Sequence, residues 1–194
     1  MTDFDSIHMV WPNATPEIQK KIQFYHDLDV KSRGSFLIQA NWIESDIDGI
    51  LALAFCGNNK SNLDLIRSTL LKRLTFDAKI DSLNKIIKLR YKGMGEKDVK
   101  TKPLFDNLAN NLETIRKFRN KLAHSSLSLT DDFITKDPKD RIPIRTYDDG
   151  KEKYLEIMKK EIEDKLAVTT EILIAMRVMT KYMFSEFNND TKKP

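Results

Sequence analysis

The sequence has few of the features that disulfide-stapled, secreted or membrane-spanning proteins need. Cys56 is the only cysteine among 194 residues, so no internal disulfide can form. A single thiol is typical of proteins in a reducing cytoplasm, and we expect that location. No stretch approaches the roughly 18 uninterrupted apolar residues of a membrane-spanning helix. The acidic opening, MTDFDSIHMVW, also lacks the basic and apolar segments of a secretion signal. We therefore expect no membrane partner.

The motifs of several common enzyme classes are missing as well. The chain has no HExxH, no Walker-type loop, no GxGxxG and no GxSxG, which leaves zinc-protease, nucleotide, dinucleotide and hydrolase functions without support. Its three histidines, His8, His26 and His124, are scattered along the chain. With one cysteine besides, we expect no bound metal and no other cofactor. Asp46 and Asp48 are better interpreted as helix surface than as metal ligands.

What the chain does contain is many charged residues, with a small excess of positive charge. Charged residues make up 32% and hydrophobic residues 40%, which is ordinary for a globular protein. The net charge of +4 permits contact with phosphate but does not require it, and surface solvation is the simpler interpretation of most lysines. We predict a single domain over residues 1–194, with an N-terminal arm at 1–14 and a frayed tail at 188–194.

Hydrophobic periodicity predicts an all-α fold, an antiparallel bundle of five or six helices with a short β-hairpin before the last one. Thr15-Pro16-Glu17 is a good helix start, and this first helix is predicted to run to about Leu28. Residues 32–35 are predicted to break it. The later helices are predicted at about 35–55, 61–74, 76–91, 104–125 and 158–187.

The hairpin is predicted within residues 142–157, where apolar residues alternate loosely around an Asp149-Gly150 turn. Pro143 lacks an N–H, which restricts the first strand to a sheet edge or to a mere extension. Residues 125–141 are predicted to form a polar loop.

The most informative stretch runs from Leu104 to Ser125 and contains Arg119-Asn120-Lys121-Leu122-Ala123-His124 near its end. Its apolar residues form one helical stripe: Leu108, Leu112, Ile115, Phe118 and Leu122. Arg119 falls inside that apolar sector, so its permanent charge requires a partner or an opening to solvent. Asn120 and His124 project together from the other side, and His124 lies about 140° from Arg119 on an ideal helix. A site shared by the two therefore needs the long arginine stem or a second chain.

The run RNKLAH resembles the Arg-x4-His signature of the HEPN superfamily of small helical-bundle proteins. Asn120 matches the polar residue that commonly follows the arginine, and Ala123 matches the small residue that often precedes the histidine. Two weaker similarities extend the resemblance over about residues 35–125: the stretch 35–55, as in the mannitol operon repressor branch, and the order Phe76, Lys79, Ile80 and Leu83.

Many HEPN proteins are metal-independent endoribonucleases with a composite site at a homodimer interface. The resemblance therefore implies a homodimer that cleaves RNA in stress or defence, as toxins of toxin–antitoxin systems do, with a cognate inhibitor protein as a further partner. Arg119 would bind phosphate, His124 would transfer protons, and Asn120 would support both. The flanking basic residues would follow the RNA backbone: Lys117, Arg116 and Lys121.

Glu44 is the acidic counterpart of Arg119, because it lies within the apolar stripe of the helix predicted at 35–55. We infer that the two charges meet, as a buried ion pair or beside a cleft, since burying either one alone is costly. Asp48 is a rival partner on the same flank. The pair could equally serve only to fix the register of the two helices.

Three alternatives to a nuclease stay open. His124 could do no more than cap helix carbonyls, where a histidine also interacts favourably with the helix dipole. The chain could be a HEPN-like regulatory or interaction module without catalysis, as in the mannitol operon repressor branch. The function could also lie in residues 126–157.

Overall fold

The computed structural model of the protein describes residues 14–57, 59–91, 102–148 and 150–190. Within these ranges the chain forms six α-helices and a small antiparallel sheet before the last helix, which confirms the predicted fold class. The helices are α1 (Pro16–Cys56), α2 (Lys60–Thr69), α3 (Phe76–Tyr91), α4 (Lys102–Ala123), α5 (Asp131–Lys136) and α6 (Lys159–Asp190). The strands are β1 (Ser126–Leu127), β2 (Arg141–Asp148) and β3 (Lys151–Met158).

The chain divides into two compact units. Unit 1 comprises Met1–Leu37 and Asn120–Lys165, and unit 2 comprises Ile38–Arg119 and Leu166–Pro194. Helices α1, α4 and α6 each contribute residues to both units. The expectation of a single domain stays a prediction. The predicted arm at 1–14 lies outside the described residues, apart from its last residue.

The predicted break near the start of the chain is wrong, because α1 is one continuous helix of 41 residues. Gly34 lies within it, although a glycine inside a helix costs about 1 kcal/mol relative to alanine. Neighbouring contacts in unit 1 outweigh that cost. Arg33 donates two hydrogen bonds to Oδ1 of Asp29, at 3.0 and 2.7 Å, and Phe36 is fully buried.

Helix α4 has the predicted amphipathic form. Pro103 is its second residue, where its missing N–H leaves no hydrogen bond unmade. All five residues of the predicted stripe are buried: Leu108, Leu112, Ile115, Phe118 and Leu122. Burying such a stripe supplies most of the stability of a helix in a protein, which explains why periodicity located α4 well.

The predicted hairpin is present, with β2 and β3 antiparallel and Asp148 paired with Lys151. Gly150 has a φ of +74°, a backbone conformation that favours glycine, whereas Asp149 lies outside the described residues. The strand order is β1-β2-β3, so the prediction that Pro143 confines its strand to an edge is wrong.

Backbone geometry explains how the central strand accommodates Pro143. Its carbonyl oxygen accepts a hydrogen bond from the N–H of Ser128, just after β1. In an antiparallel strand the N–H and C=O of one residue point to the same side. The missing N–H of Pro143 therefore faces the short strand β1, and the ladder between β2 and β3 loses no donor.

The segment predicted as a polar loop, 125–141, instead contains β1 and the short helix α5. The Thr130 hydroxyl caps α5 by accepting a hydrogen bond from the N–H of Phe133 at 3.3 Å. Phe133 and Ile134 are buried, and Asp137 follows in a left-handed conformation with a φ of 48°. Two buried residues are too few to show a helical period in the sequence, which is why the prediction missed α5.

The remaining helices differ from the predictions mainly at their ends. The helix predicted at 61–74 is divided into α2 and a 3₁₀ turn, Leu71–Arg73. Thr75 caps α3, since the N–H of Ala78 donates to its Oγ1 at 3.2 Å. Residues 188–190, predicted as part of a frayed tail, are helical. Within the part of the chain that the structure describes, no helix is both long enough and apolar enough to cross a membrane.

Tyr25 links α1 to α5 within unit 1. Its side chain is fully buried, and its ring packs edge-on against Phe133 with the centroids 5.0 Å apart. Its hydroxyl donates a hydrogen bond to Oδ1 of Asp137 at 3.0 Å. Burial, followed by this hydrogen bond to a carboxylate, raises the pKa of Tyr25 well above its ordinary value of 10.0.

Replacing Tyr25 with phenylalanine tests this link. At neutral pH we expect the free energy of unfolding to fall by about 1.5 kcal/mol, since the variant loses a hydrogen bond to a charged acceptor. Because the pKa of Tyr25 is raised in the folded state, its contribution to the free energy of unfolding is complete below the ordinary pKa. That contribution is lost as pH rises through the raised pKa. The difference between wild type and variant, measured by urea unfolding, should therefore shrink above about pH 10. A difference that stays constant up to about pH 11 would contradict this account.

Candidate functional site

His124 follows the last residue of α4 and is exposed to solvent, whereas Leu122 beside it is buried. Its backbone N–H donates to the carbonyl oxygen of Asn120 at 3.2 Å, so the helical hydrogen-bond pattern extends past Ala123. Asn120 and His124 both belong to unit 1. An exposed imidazole at this position can reach a bound molecule from solvent.

Arg119 belongs to unit 2 and is half-buried. The central carbon of its guanidinium lies 5.9 Å from the centroid of the Phe76 ring, which is within the range of a cation–π contact. Phe76 is the first residue of α3 and is itself buried. The aromatic face is one favourable contact for a permanent charge in the apolar sector of α4.

Lys79 forms an ion pair with Glu44. Nζ of Lys79 lies 2.8 Å from Oε1 of Glu44 and 2.8 Å from Oδ2 of Asp48, all within unit 2. Lys79 is buried at 4% exposure. The inferred contact between Glu44 and Arg119 stays a prediction, and both acids that were considered for Arg119 bind this lysine.

Sequence reasoning missed Lys79 as a buried cation, although a signal was present. Lys79 falls among the inward-facing residues of its helix, one before Ile80 and three after Phe76. Burial disfavours its charged form, but hydrogen bonds to Asp48 and Glu44 outweigh that effect, and the pKa of Lys79 is raised. The ammonium therefore stays charged at neutral pH.

The basic neighbours of the motif lie close to acids. In unit 2, Arg116 forms ion pairs with Glu113 at 2.6 Å and Asp77 at 2.9 Å, and Lys117 lies 3.3 Å from Glu113. The Glu113 hydrogen bond raises the pKa of Arg116, and Arg116 in turn lowers that of Glu113. These acids offset part of the positive charge that was predicted to follow RNA.

Lys121 has a longer contact with an acid, in unit 1. Its Nζ lies 3.8 Å from Oε1 of Glu161 in α6. Ion pairs of this kind on partly exposed side chains contribute little energy and exchange readily with other partners. A phosphate group could therefore replace Glu161 as the partner of Lys121.

Arg33 is a further residue near the motif that the sequence analysis did not single out. Its Nη1 donates to the carbonyl oxygens of Leu122 and Ser125, at 3.3 and 2.5 Å, and its other nitrogens bind Asp29. The only sequence signal was the spacing of Asp29 and Arg33, four residues apart on one helix. That spacing is common on helix surfaces and does not reveal the carbonyls.

Two of the grooves that the described residues form do not involve the motif. One, of about 210 Å³ in unit 2, lies between α4 and α6 beside Asn111 and Ile174. The other, of about 420 Å³ in unit 1, lies beside Phe133 and Tyr154. Across the described ranges, no three His, Cys, Asp or Glu side chains lie together in a way that could hold a metal ion.

Comparison with known proteins adds no identification. No family model matches the chain, and no curated protein and no solved structure matches it. The resemblance to HEPN proteins therefore rests on the RNKLAH run with its helix and on the two weaker similarities within residues 35–125.

Proposed function

We propose that the protein is a HEPN-like, metal-independent endoribonuclease that acts as a cytoplasmic homodimer. The observation that carries the proposal is the exposure of His124 at the end of a helix whose buried stripe ends at Leu122. A proton-transfer group has to meet its substrate, and an exposed imidazole can do so. The half-buried Arg119, against the Phe76 ring, is a suitable anchor for phosphate.

The proposed reaction needs a base, an acid and a positive charge. An imidazole of His124 accepts the proton of the ribose 2′-hydroxyl, and the 2′-oxygen attacks phosphorus. The guanidinium of Arg119 binds the non-bridging oxygens as negative charge develops on them. The bond to the 5′-oxygen breaks, and this oxygen leaves with a proton from the imidazolium of the second copy. The products are a 2′,3′-cyclic phosphate and a 5′-hydroxyl.

The second candidate is a non-catalytic HEPN-like regulatory or interaction module. The ion pairs of Arg116 and Lys117 with acids favour it, since they reduce the charge available to an RNA backbone. Such a module would present the same exposed surface to a protein partner or an inhibitor. The two candidates differ in whether RNA is cut.

Replacing His124 with alanine decides between them. With total RNA in EDTA, we expect wild type to cleave and the variant to lose at least about 100-fold in rate, as removal of a general acid–base typically does. The matched control is Lys136→Met, which changes an exposed lysine of unit 1 that pairs with Asp132. It should cleave like wild type.

Two results would refute the nuclease. RNA that stays intact with well-folded wild type favours the regulatory module. Cleavage that persists undiminished in His124→Ala assigns the activity to another residue or to a contaminating enzyme.

A further inference from the structure

The backbone on both sides of His124 is bound by one side chain. Nη1 of Arg33 donates to the carbonyl oxygen of Leu122, two residues before the histidine, and to that of Ser125, one residue after it. The Leu122 oxygen also accepts from the Ser125 hydroxyl at 3.1 Å. The same oxygen accepts from the backbone N–H of Ser125 at 3.4 Å. The last four carbonyls of a helix lack a partner within the helix, so bonds of this kind satisfy an acceptor at the end of α4.

Arg33 is itself held in a fixed direction. Nε and Nη2 of its guanidinium both donate to Oδ1 of Asp29, at 3.0 and 2.7 Å, which leaves Nη1 to reach the carbonyls. The side chains of Arg33 and Asp29 are only 15% and 13% exposed, so water competes little for these bonds. Because the guanidinium is planar and rigid, fixing Nε and Nη2 on Asp29 also fixes the direction in which Nη1 points.

We propose that Arg33 is a positioning residue for His124, which holds the terminal turn of α4 so that the imidazole meets the substrate in one orientation. Fixing the carbonyls of Leu122 and Ser125 limits the rotations available to the two residues between them. A catalytic group that moves by about 1 Å can lose on the order of 100-fold in rate, which makes this support valuable. The inference rests on the proposed function of His124.

The simpler alternative is that Arg33 only stabilises the fold. A cation near the C-terminal end of a helix is favourable in any protein, because it offsets the negative end of the dipole. The two roles predict different kinetics. Loss of stability alone lowers the amount of folded enzyme and leaves its kcat unchanged, whereas loss of positioning lowers kcat in molecules that remain folded.

The test compares Arg33→Gln and Arg33→Lys with Arg141→Gln, an exposed arginine of unit 1 that pairs with Glu156. Rates are measured on RNA with the folded fraction determined for each variant. We expect Arg33→Gln to lower kcat by about 10- to 100-fold with KM nearly unchanged. Arg33→Lys should recover part of the loss, because an ammonium keeps the charge but cannot form the fork. Arg141→Gln should behave like wild type.

Hydrogen exchange supplies a readout that does not depend on catalysis. We expect the backbone N–H groups of His124 and Ser125 to exchange faster in Arg33→Gln, with the rest of unit 1 little changed. Unchanged kcat in folded Arg33→Gln, or unchanged exchange at these two residues, overturns the inference. Failure of the proposed function is seen separately, as a wild type that leaves RNA intact.

Discussion

Replacing Lys79 with methionine is expected to lower the free energy of unfolding by about 3 kcal/mol at neutral pH. The ammonium binds Glu44 and Asp48 at 2.8 Å each, and its side chain is 5% exposed. Methionine fills similar space but leaves two carboxylates without their cation. Oδ1 of Asp48 is already buried with no hydrogen-bond partner among the described residues. In the variant this carboxylate would also lose the hydrogen bond that Lys79 donates to its Oδ2, and methionine cannot replace it. Urea unfolding measures the effect.

Neutralising the acids provides the control for this prediction. A triple variant, Lys79→Met with Glu44→Gln and Asp48→Asn, should regain most of the lost stability, since removing a whole buried ion pair is often nearly neutral. Lys136→Met, which breaks an exposed pair with Asp132, should cause no measurable change. A Lys79→Met protein as stable as wild type would show that Glu44 and Asp48 are solvated well enough without the lysine.

The raised pKa of Lys79 also predicts how the free energy of unfolding depends on pH in the alkaline range. Its pKa is raised in the folded state, so its contribution is complete below the ordinary value of 10.5 and is lost as pH rises through the raised one. The difference between wild type and Lys79→Met should therefore narrow above about pH 10.5. A difference that widens there would have the wrong sign for a raised pKa.

Two substitutions of Gly34 should change stability in opposite directions. Gly34→Pro is expected to lower the free energy of unfolding by about 3 kcal/mol or more, because proline removes a helical N–H and clashes with the preceding turn. Gly34→Ala is expected to raise it by about 0.5–1 kcal/mol, since alanine favours the helix. Beyond its chain neighbours and the nearby backbone of its own helix, a Cβ at Gly34 would have no atom within 4 Å, so the methyl group fits without rearrangement.

This pair of variants distinguishes a continuous α1 from the two helices that the sequence suggested. A break at residues 32–35 would tolerate proline, and alanine there would add nothing. Thermal unfolding of both variants beside wild type is sufficient. Near-equal stability of all three proteins would contradict the helix of 41 residues that spans this position.

The parts of the fold that were predictable are those in which a residue pattern repeats over several turns. The stripe from Leu108 to Leu122 contains enough apolar residues to define a helical period, and α4 follows it. The Asp149-Gly150 pair located the hairpin, because a short turn between strands needs residues that tolerate positive φ. Short elements such as α5 have no repeating pattern to detect.

The errors occurred where one local signal was overruled by contacts from residues far along the chain. Ser32 to Ser35 has the composition of a helix break, yet Arg33 binds carbonyls about ninety residues later, and Phe36 is buried. Proline is typical of edge strands, yet Pro143 lies in the central strand. Its missing N–H faces β1, which has only two residues, so few hydrogen bonds depend on that side. Propensity is a weak prior, and tertiary contacts of a few kcal/mol routinely exceed it.

In the candidate site, too, some features were predictable from the local sequence and others depended on long-range contacts. The sequence predicts Arg119, Asn120 and His124 as functional residues from the RNKLAH run, and helical geometry separates the arginine from the other two. It also reveals a charge among apolar residues at Glu44. The sequence could not identify Lys79 as the partner of Glu44, because several lysines and arginines carry a suitable charge. Only the position of α3 in the folded protein shows which of them pairs with Glu44.

The sequence by itself determined the helical class of this protein, the hairpin before α6 and the exposed position of the motif histidine. Each of these depends on residues within a few turns of one another, whose spacing is visible in one dimension. Only the tertiary structure decided that α1 is continuous, that Lys79 neutralises Glu44 and Asp48, and that Arg33 holds the end of α4. These contacts join residues that are far apart in sequence, and the energy that selects them comes from burial, which exists only once the chain has folded.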